Sequence, residues 1–72
     1  MSELIVMDRS GDSRTPFTQG DATQVAVAEK EFYKFLKLGY VAVEGEGDAK
    51  FVTRKFNPGA SKIIMHPQYI GG

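Results

Sequence analysis

The last residues of the sequence are the ones whose types and spacing best suit a chemical role. The 72-residue sequence finishes with Pro67-Gln68-Tyr69-Ile70-Gly71-Gly72. Glycine lacks a Cβ atom, so Gly71 and Gly72 let the backbone approach closely inside a narrow channel. An enzyme that activates a carboxylate on such a tail could adenylate it and transfer it to sulfur or to an amine. The alternative is an exposed end without a chemical role, as many small domains have.

A second candidate group is a set of cations late in the chain. Residues 1–48 hold five basic and nine acidic side chains, whereas residues 49–72 hold no acid and four bases: Lys50, Arg54, Lys55 and Lys62. Phe51 and Phe56 lie between these cations, and strands that combine cations with aromatic rings can bind single-stranded nucleic acid. The alternatives are a solvated strand face and a surface that steers docking onto an acidic protein.

The overall inventory excludes several classes of site. The sequence has no cysteine and one histidine, His66, which excludes disulfides, thiolate metal sites and imidazole-rich metal sites. Nine basic residues balance nine acidic ones, which disfavours nucleic acid as the main partner. We therefore expect no metal, no cofactor and no enzymatic activity, because so short a chain better suits a carrier or binding module.

The sequence also carries no targeting signal that we can identify. No apolar run approaches the roughly 18 residues of a membrane span. The N-terminal residues lack the basic and long apolar regions of a signal peptide. We expect a cytoplasmic protein with no membrane partner, or a virion component.

The clearest predicted element is a helix over about residues 22–38. Asp21 is a good N-cap, and Gln24 three residues later completes the capping-box pattern. Gly39 is placed to end the helix. Apolar side chains recur at helical spacing and make one face of it: Val25, Ala28, Phe32, Phe35 and Leu36.

Short segments on both sides of the helix predict strands. They cover residues 4–7, 13–18, 40–43, 50–56 and 62–66, and the second is a weak edge strand because it contains Pro16. Asn57-Pro58-Gly59 predicts a type II turn. The strand residues expected to pack against the helix are Leu4, Val6, Val41, Val43, Phe51, Ile63 and Met65.

This order, β, weak β, α, β, β, β, predicts a single α+β domain over residues 1–72, with residues 67–72 as its tail. We expect two layers, with one helix packed on a four-stranded mixed sheet in ββαββ order. The first and last strands are the most apolar, so they should pair in parallel at the sheet centre. This is the topology of the ubiquitin-like β-grasp fold, and a ββαββ meander packed on a helix is the alternative.

The segment from His66 to Gly72, directly after the last strand, resembles the end of the small sulfur-carrier proteins of molybdopterin and thiamine synthesis. Those proteins are β-grasp domains with a short tail, often containing proline as Pro67 does here, and a final Gly-Gly. The resemblance implies that Gly72 carries a carboxylate that becomes a thiocarboxylate, and that Gly71 keeps the channel path open. It also implies that Tyr69 and Ile70 lie in the groove of a partner adenylating enzyme.

A second resemblance involves residues 38–42 and 56–60, together with Ile63-Ile64, Pro67 and the Gly-Gly pair. These segments are similar to short uncharacterised phage and prophage proteins, which implies a small structural or accessory protein that docks on other proteins. Three functions therefore remain open at this point: a carrier or modifier, a phage-encoded docking protein, and single-stranded nucleic-acid binding through residues 50–56.

Overall fold

The computed structural model describes residues 1–8 and 10–68, which form one helix and five strands. The elements are β1 (Ser2–Asp8), β2 (Gly11–Phe17), α1 (Ala22–Lys37), β3 (Tyr40–Glu44), β4 (Phe51–Thr53) and β5 (Lys62–Pro67). The predicted α+β class with one helix on a mixed sheet is confirmed. The prediction of a four-stranded sheet in ββαββ order is wrong, because the sheet has five strands and three of them follow the helix.

All five strands belong to one sheet in the order β2-β1-β5-β3-β4. β1 and β5 pair in parallel, from Glu3 opposite Lys62 to Val6 opposite Met65, and the other neighbours are antiparallel. The first and last strands are therefore adjacent and β5 lies at the centre, as the apolar character of both segments predicted. α1 lies in the connection between β2 and β3, which belong to opposite halves of the sheet.

β2 tolerates Pro16 because of where the proline nitrogen points. β2 pairs with β1 over seven positions, with Pro16 opposite Glu3. The Glu3 N–H donates to the Ser61 carbonyl on the β5 side. In an antiparallel ladder, hydrogen-bonded pairs of residues alternate with non-bonded pairs, and the Glu3–Pro16 pair is a non-bonded one. The Pro16 nitrogen therefore faces the outer edge, and no hydrogen bond within the sheet is lost.

The start of α1 is capped as predicted, except for the role of Gln24. The Asp21 Oδ1 atom accepts hydrogen bonds from the N–H groups of Thr23 (3.0 Å) and Gln24 (3.1 Å). The Asp21 N–H donates to the Thr18 carbonyl at 2.9 Å, so it is not free for the capping box. The Gln24 Oε1 atom instead accepts from the Thr18 N–H at 2.8 Å. Gln24 thus ties the loop before the helix to its first turn.

The core lies between α1 and one face of the sheet. Its buried residues are Leu4, Val6, Phe17, Ala28, Phe32, Ala42, Phe56, Ala60, Ile63 and Met65. Val25, Phe35 and Leu36 of the predicted helix face pack against this cluster and are partly exposed. The predicted helix face is confirmed.

Three predicted core positions are wrong. Val41 and Val43 alternate with the buried Ala42, so they lie on the sheet face opposite α1, where they are half-buried. Phe51 is 54% exposed, and Phe56, at 8%, fills the core in its place. The Phe56 ring lies 5.6 Å from that of Phe17 and 5.7 Å from that of Phe32, between ring centroids.

The predicted strand over residues 50–56 is also too long, because the chain turns out of the sheet after Thr53. The Thr53 hydroxyl donates to the Lys55 carbonyl (3.1 Å) and lies 3.2 Å from the Lys55 nitrogen, whose N–H donates back to it. The turn that follows closes through the Ala60 N–H, which donates to the Asn57 carbonyl at 3.0 Å. Gly59 does not have a positive φ there, so the predicted type II turn is wrong.

Candidate functional site

The predicted tail begins at the end of the central strand. Pro67 is the last residue of β5, half-buried and opposite Tyr40 of β3. Gln68 follows and is exposed. The other predicted tail residues lie outside the described residues: Tyr69, Ile70, Gly71 and Gly72. The tail therefore begins at the end of a strand that has a neighbouring strand on each side.

A cleft of about 400 Å³ lies beside the start of the tail. Its lining includes Leu36 from the end of α1, Tyr40, Arg54 and Gln68. It exists because β4 pairs with β3 only from Ala42 to Glu44, which leaves the first half of β3 without a neighbour on that side. The sequence predicted Leu36 on the apolar face of the helix and Tyr40 as the first residue of a strand. It contained no signal for a cleft, since the cleft depends on how early β4 ends.

Tyr40, which lines the cleft, packs on Phe35 of α1 behind it. The Tyr40 and Phe35 rings lie 5.0 Å apart between centroids, with their planes at 56°. The Lys34 ammonium lies 5.6 Å from the Phe35 ring centroid, a cation–π distance. Gly39, with φ of 93°, ends the helix and turns the chain into β3, which brings these two rings together.

The four predicted cations do not form one patch. Lys62 opens β5 and Lys50 precedes the first residue of β4, so both lie towards the end of the sheet away from the tail. Arg54 lines the cleft at the other end, and Lys55 follows it. β5 has six residues, and a strand of that length spans about 17 Å. The cations therefore divide into two pairs at opposite ends of the sheet.

The two aromatic rings of this segment also separate. Phe51 is largely exposed, whereas Phe56 is buried among core rings. A nucleic-acid surface over residues 50–56 would need both rings to stack bases. Only the Phe51 ring is available for that role.

The sheet face opposite α1 carries an apolar row that no other described element covers. The register places four residues side by side across four strands: Ile5, Ile64, Val43 and Val52. Ile5 is nearly buried by its neighbours, whereas Val52, at the edge, is 68% exposed. The exposed end of this row, at Val52, is the part that is available for contact with another molecule.

The buried polar groups of the described residues serve the fold. Glu44 is 8% exposed, and its carboxylate accepts a hydrogen bond from Asn57 Nδ2 at 2.8 Å. Gln19 Nε2 donates to the Ser2 hydroxyl (3.2 Å) and to the Gly59 carbonyl (3.1 Å). Within residues 1–8 and 10–68, every buried side-chain nitrogen or oxygen has a hydrogen-bond partner. No unpaired buried group in this part of the chain therefore points to a bound ligand.

The described residues show neither a metal-binding cluster nor a membrane-spanning helix. In the described part of the chain, no three His, Asp or Glu side chains come together as metal ligands would. The described helix is not long and apolar enough to cross a membrane. No protein-family model, curated protein or solved structure matches the chain.

Proposed function

We propose that this chain is a ubiquitin-like β-grasp carrier or modifier, which acts through the carboxylate of its Gly71–Gly72 segment after activation by a partner adenylating enzyme. The observation that carries the proposal is the strand order β2-β1-β5-β3-β4 with β1 and β5 parallel. The β-grasp topology that we expected from the sequence has its first and last strands paired in parallel at the sheet centre, and β1 and β5 pair in this way. Here the central strand leads within five residues to the Gly-Gly pair.

The position of β5 suits this role mechanically. β5 pairs with β1 as far as Met65 and with β3 as far as Pro67, so the tail starts from a residue that is paired with β3. Five further residues, 68–72, can extend at most about 17 Å from that point. Such a tail is long enough to enter a partner's active site while the folded domain stays outside.

The proposed chemistry takes place in the partner. A carboxylate oxygen of Gly72 attacks the α-phosphorus of ATP and displaces pyrophosphate, which gives an acyl-adenylate. The outer sulfur of a persulfide on a sulfur-donor protein then attacks the carbonyl carbon and AMP leaves, which gives an acyl disulfide. A second thiol attacks the donor's sulfur, so the donor leaves as a disulfide with that thiol and the thiocarboxylate is released. With an amine as the nucleophile, the product is an amide. The domain itself supplies the tail and a docking surface, and the adenylating enzyme supplies the catalytic groups.

The test uses the protein ending at Gly72, ATP, an adenylating enzyme encoded beside its gene, a persulfide sulfur donor and a thiol. We expect release of pyrophosphate and an intact mass that rises by the exchange of oxygen for sulfur. Deletion of Gly71 and Gly72 should abolish both signals and leave the urea unfolding midpoint unchanged. Gly20→Ala is the matched control, because a Cβ there meets no atom within 4 Å. If the mass stays unchanged with an enzyme active on its own carrier, the proposal fails.

The second candidate is a small phage-encoded structural or accessory protein that acts by docking. The observation that favours it is the apolar row on the uncovered face of the sheet, which ends at the exposed Val52. We expect such a protein to co-purify with phage particles, and Val52→Asp to reduce its occupancy there. Recovery of the wild-type chain only as a free monomer would contradict this function.

A further inference from the structure

The outer edge of β4 is an unpaired strand edge with exposed apolar side chains. Phe51 and Val52 are 54% and 68% exposed. The Gly45 N–H donates to the Lys62 carbonyl, on the β5 side. Because successive residues of a strand direct their N–H and C=O groups to opposite sides, those of Ala42 and Glu44 point towards β4. Their partners on β4 are Thr53 and Phe51. The N–H and C=O of Val52 therefore point away from the sheet, where a further strand could bond to them.

The opposite edge of the sheet is protected in a way that β4 is not. β2 carries Pro16, whose nitrogen faces outward, and the exposed charged residues Asp12 and Arg14. Proline and charge are common means by which proteins block the addition of a strand to an edge. β4 itself, Phe51–Thr53, contains neither proline nor a charged residue. The β4 edge is thus the more open of the two.

Two cations lie next to this edge, and neither has an acidic partner among the described residues. Arg54 and Lys55 are exposed and follow β4 directly. Among the described residues, the only ion pair joins Arg14 and Glu3, at 3.4 Å. The acids of the preceding loop, Glu46 and Asp48, lie at the other end of β4. The end of β4 beside the cleft is therefore the positive one.

We propose that the outer edge of β4 binds an extended acidic segment of another protein, which adds to the sheet as a sixth strand. Backbone hydrogen bonds to Val52 would fix the segment, and its acidic side chains would pair with Arg54 and Lys55. Beyond Thr53 the segment would pass the cleft beside Tyr40, which can accept one of its apolar side chains. The binding does not depend on the chemistry of the Gly-Gly pair.

Two other occupants fit this edge less well. A second copy paired antiparallel about Val52 would set Lys50 of each chain against Arg54 of the other, and like charges directly opposite are destabilising. Single-stranded nucleic acid would suit the cations but would find one exposed ring, Phe51, since Phe56 is buried. An acidic peptide uses both the free backbone groups and the charges.

The test is a titration of the isotopically labelled protein with a short synthetic peptide of alternating glutamate and valine, followed by NMR. We expect the amide signals of Val52 and Arg54 to shift and the Val52 amide to become protected from hydrogen exchange. The signals of β2 should not move. A peptide of alternating lysine and valine should not bind.

Variants separate the backbone and charge contributions. Val52→Pro removes the outward N–H without removing a bond to β3, and should abolish binding. Arg54→Glu should weaken binding roughly fivefold, and it keeps the test valid if the proline variant does not fold. Lys30→Glu is the matched control, an exposed cation on α1, and should bind as the wild type does.

Four results would overturn the proposal. They are shifts centred on the lysines of α1 or on β2, equal affinity for the lysine–valine peptide, tighter binding of oligothymidine than of the acidic peptide, and dimers of the free protein that Val52→Pro dissociates.

Discussion

The hydroxyl oxygen of Tyr33, on α1, accepts a hydrogen bond from the backbone N–H of Phe56 at 3.2 Å. The Phe56 ring packs at the same time against Phe32 of the helix and Phe17 at the end of β2. The segment after β4 therefore connects the helix to both halves of the sheet. β4 itself, with three residues, adds little to the core.

Tyr33→Phe should lower the free energy of unfolding by about 1 kcal/mol, because it leaves the part-buried Phe56 N–H without its acceptor. Urea unfolding monitored by circular dichroism measures the change. Tyr40→Phe is the control, because no described residue hydrogen-bonds to its hydroxyl while its ring packs on Phe35. Equal losses in the two variants would show that the hydrogen bond contributes nothing specific.

Phe56→Ala should destabilise the protein by about 3–5 kcal/mol, since it removes a buried ring from the aromatic cluster. Phe51→Ala should cost less than about 1 kcal/mol, because that ring is mostly in solvent. Urea midpoints of the two variants give the comparison. If the Phe56 variant is already unfolded in water, its NMR spectrum will lack dispersed amide signals. A larger loss for Phe51 would contradict the described core.

Asp21→Ala should lower the free energy of unfolding by about 1 kcal/mol, because the N–H groups of Thr23 and Gln24 lose their shared acceptor. Asp21→Asn should retain most of that stability, since asparagine is an equally good N-cap. Thermal unfolding of both variants measures the difference. An asparagine variant as unstable as the alanine one would indicate that the charge, and not the cap, is responsible.

Gly45→Ala should destabilise the protein by about 2–3 kcal/mol. Gly45 has φ of 113°, and a Cβ there would meet the carbonyl oxygen of Ala49 across the β3–β4 loop. Gly20→Ala is the matched control, where the added methyl meets no atom and the stability should change little. Urea unfolding of the pair measures the difference, and similar midpoints would contradict the described loop.

The helix and the central strands could be predicted because their signals are local and agree with each other. Asp21, the apolar spacing from Val25 to Leu36 and Gly39 all predict the same helix. The apolar residues of β1 and β5 predict strands buried in the middle of a sheet. These elements depend on residues that are near one another in sequence.

The errors arose where long-range geometry decides the outcome. Pro16 weakened the prediction of β2, because the direction of its nitrogen depends on the register with β1. Phe51 and Phe56 are alternatives for one core position, and the bonds between Thr53 and Lys55 select Phe56. The cleft beside the tail follows from the same early end of β4. The sequence indicated Arg54 as a candidate cation, but it did not indicate that Arg54 lines the cleft with Tyr40 and Gln68.

The place of β5 in the sheet also has a consequence for the order of events during synthesis. β1–β2 and β3–β4 are hairpins, and within the sheet only β5, the last strand to be made, joins them. A nascent chain that stops before residue 62 holds two hairpins with an open gap between them. Residues 62–67 must therefore leave the ribosome before the sheet can close, and until then the apolar edges of β1 and β3 are exposed to chaperones and proteases.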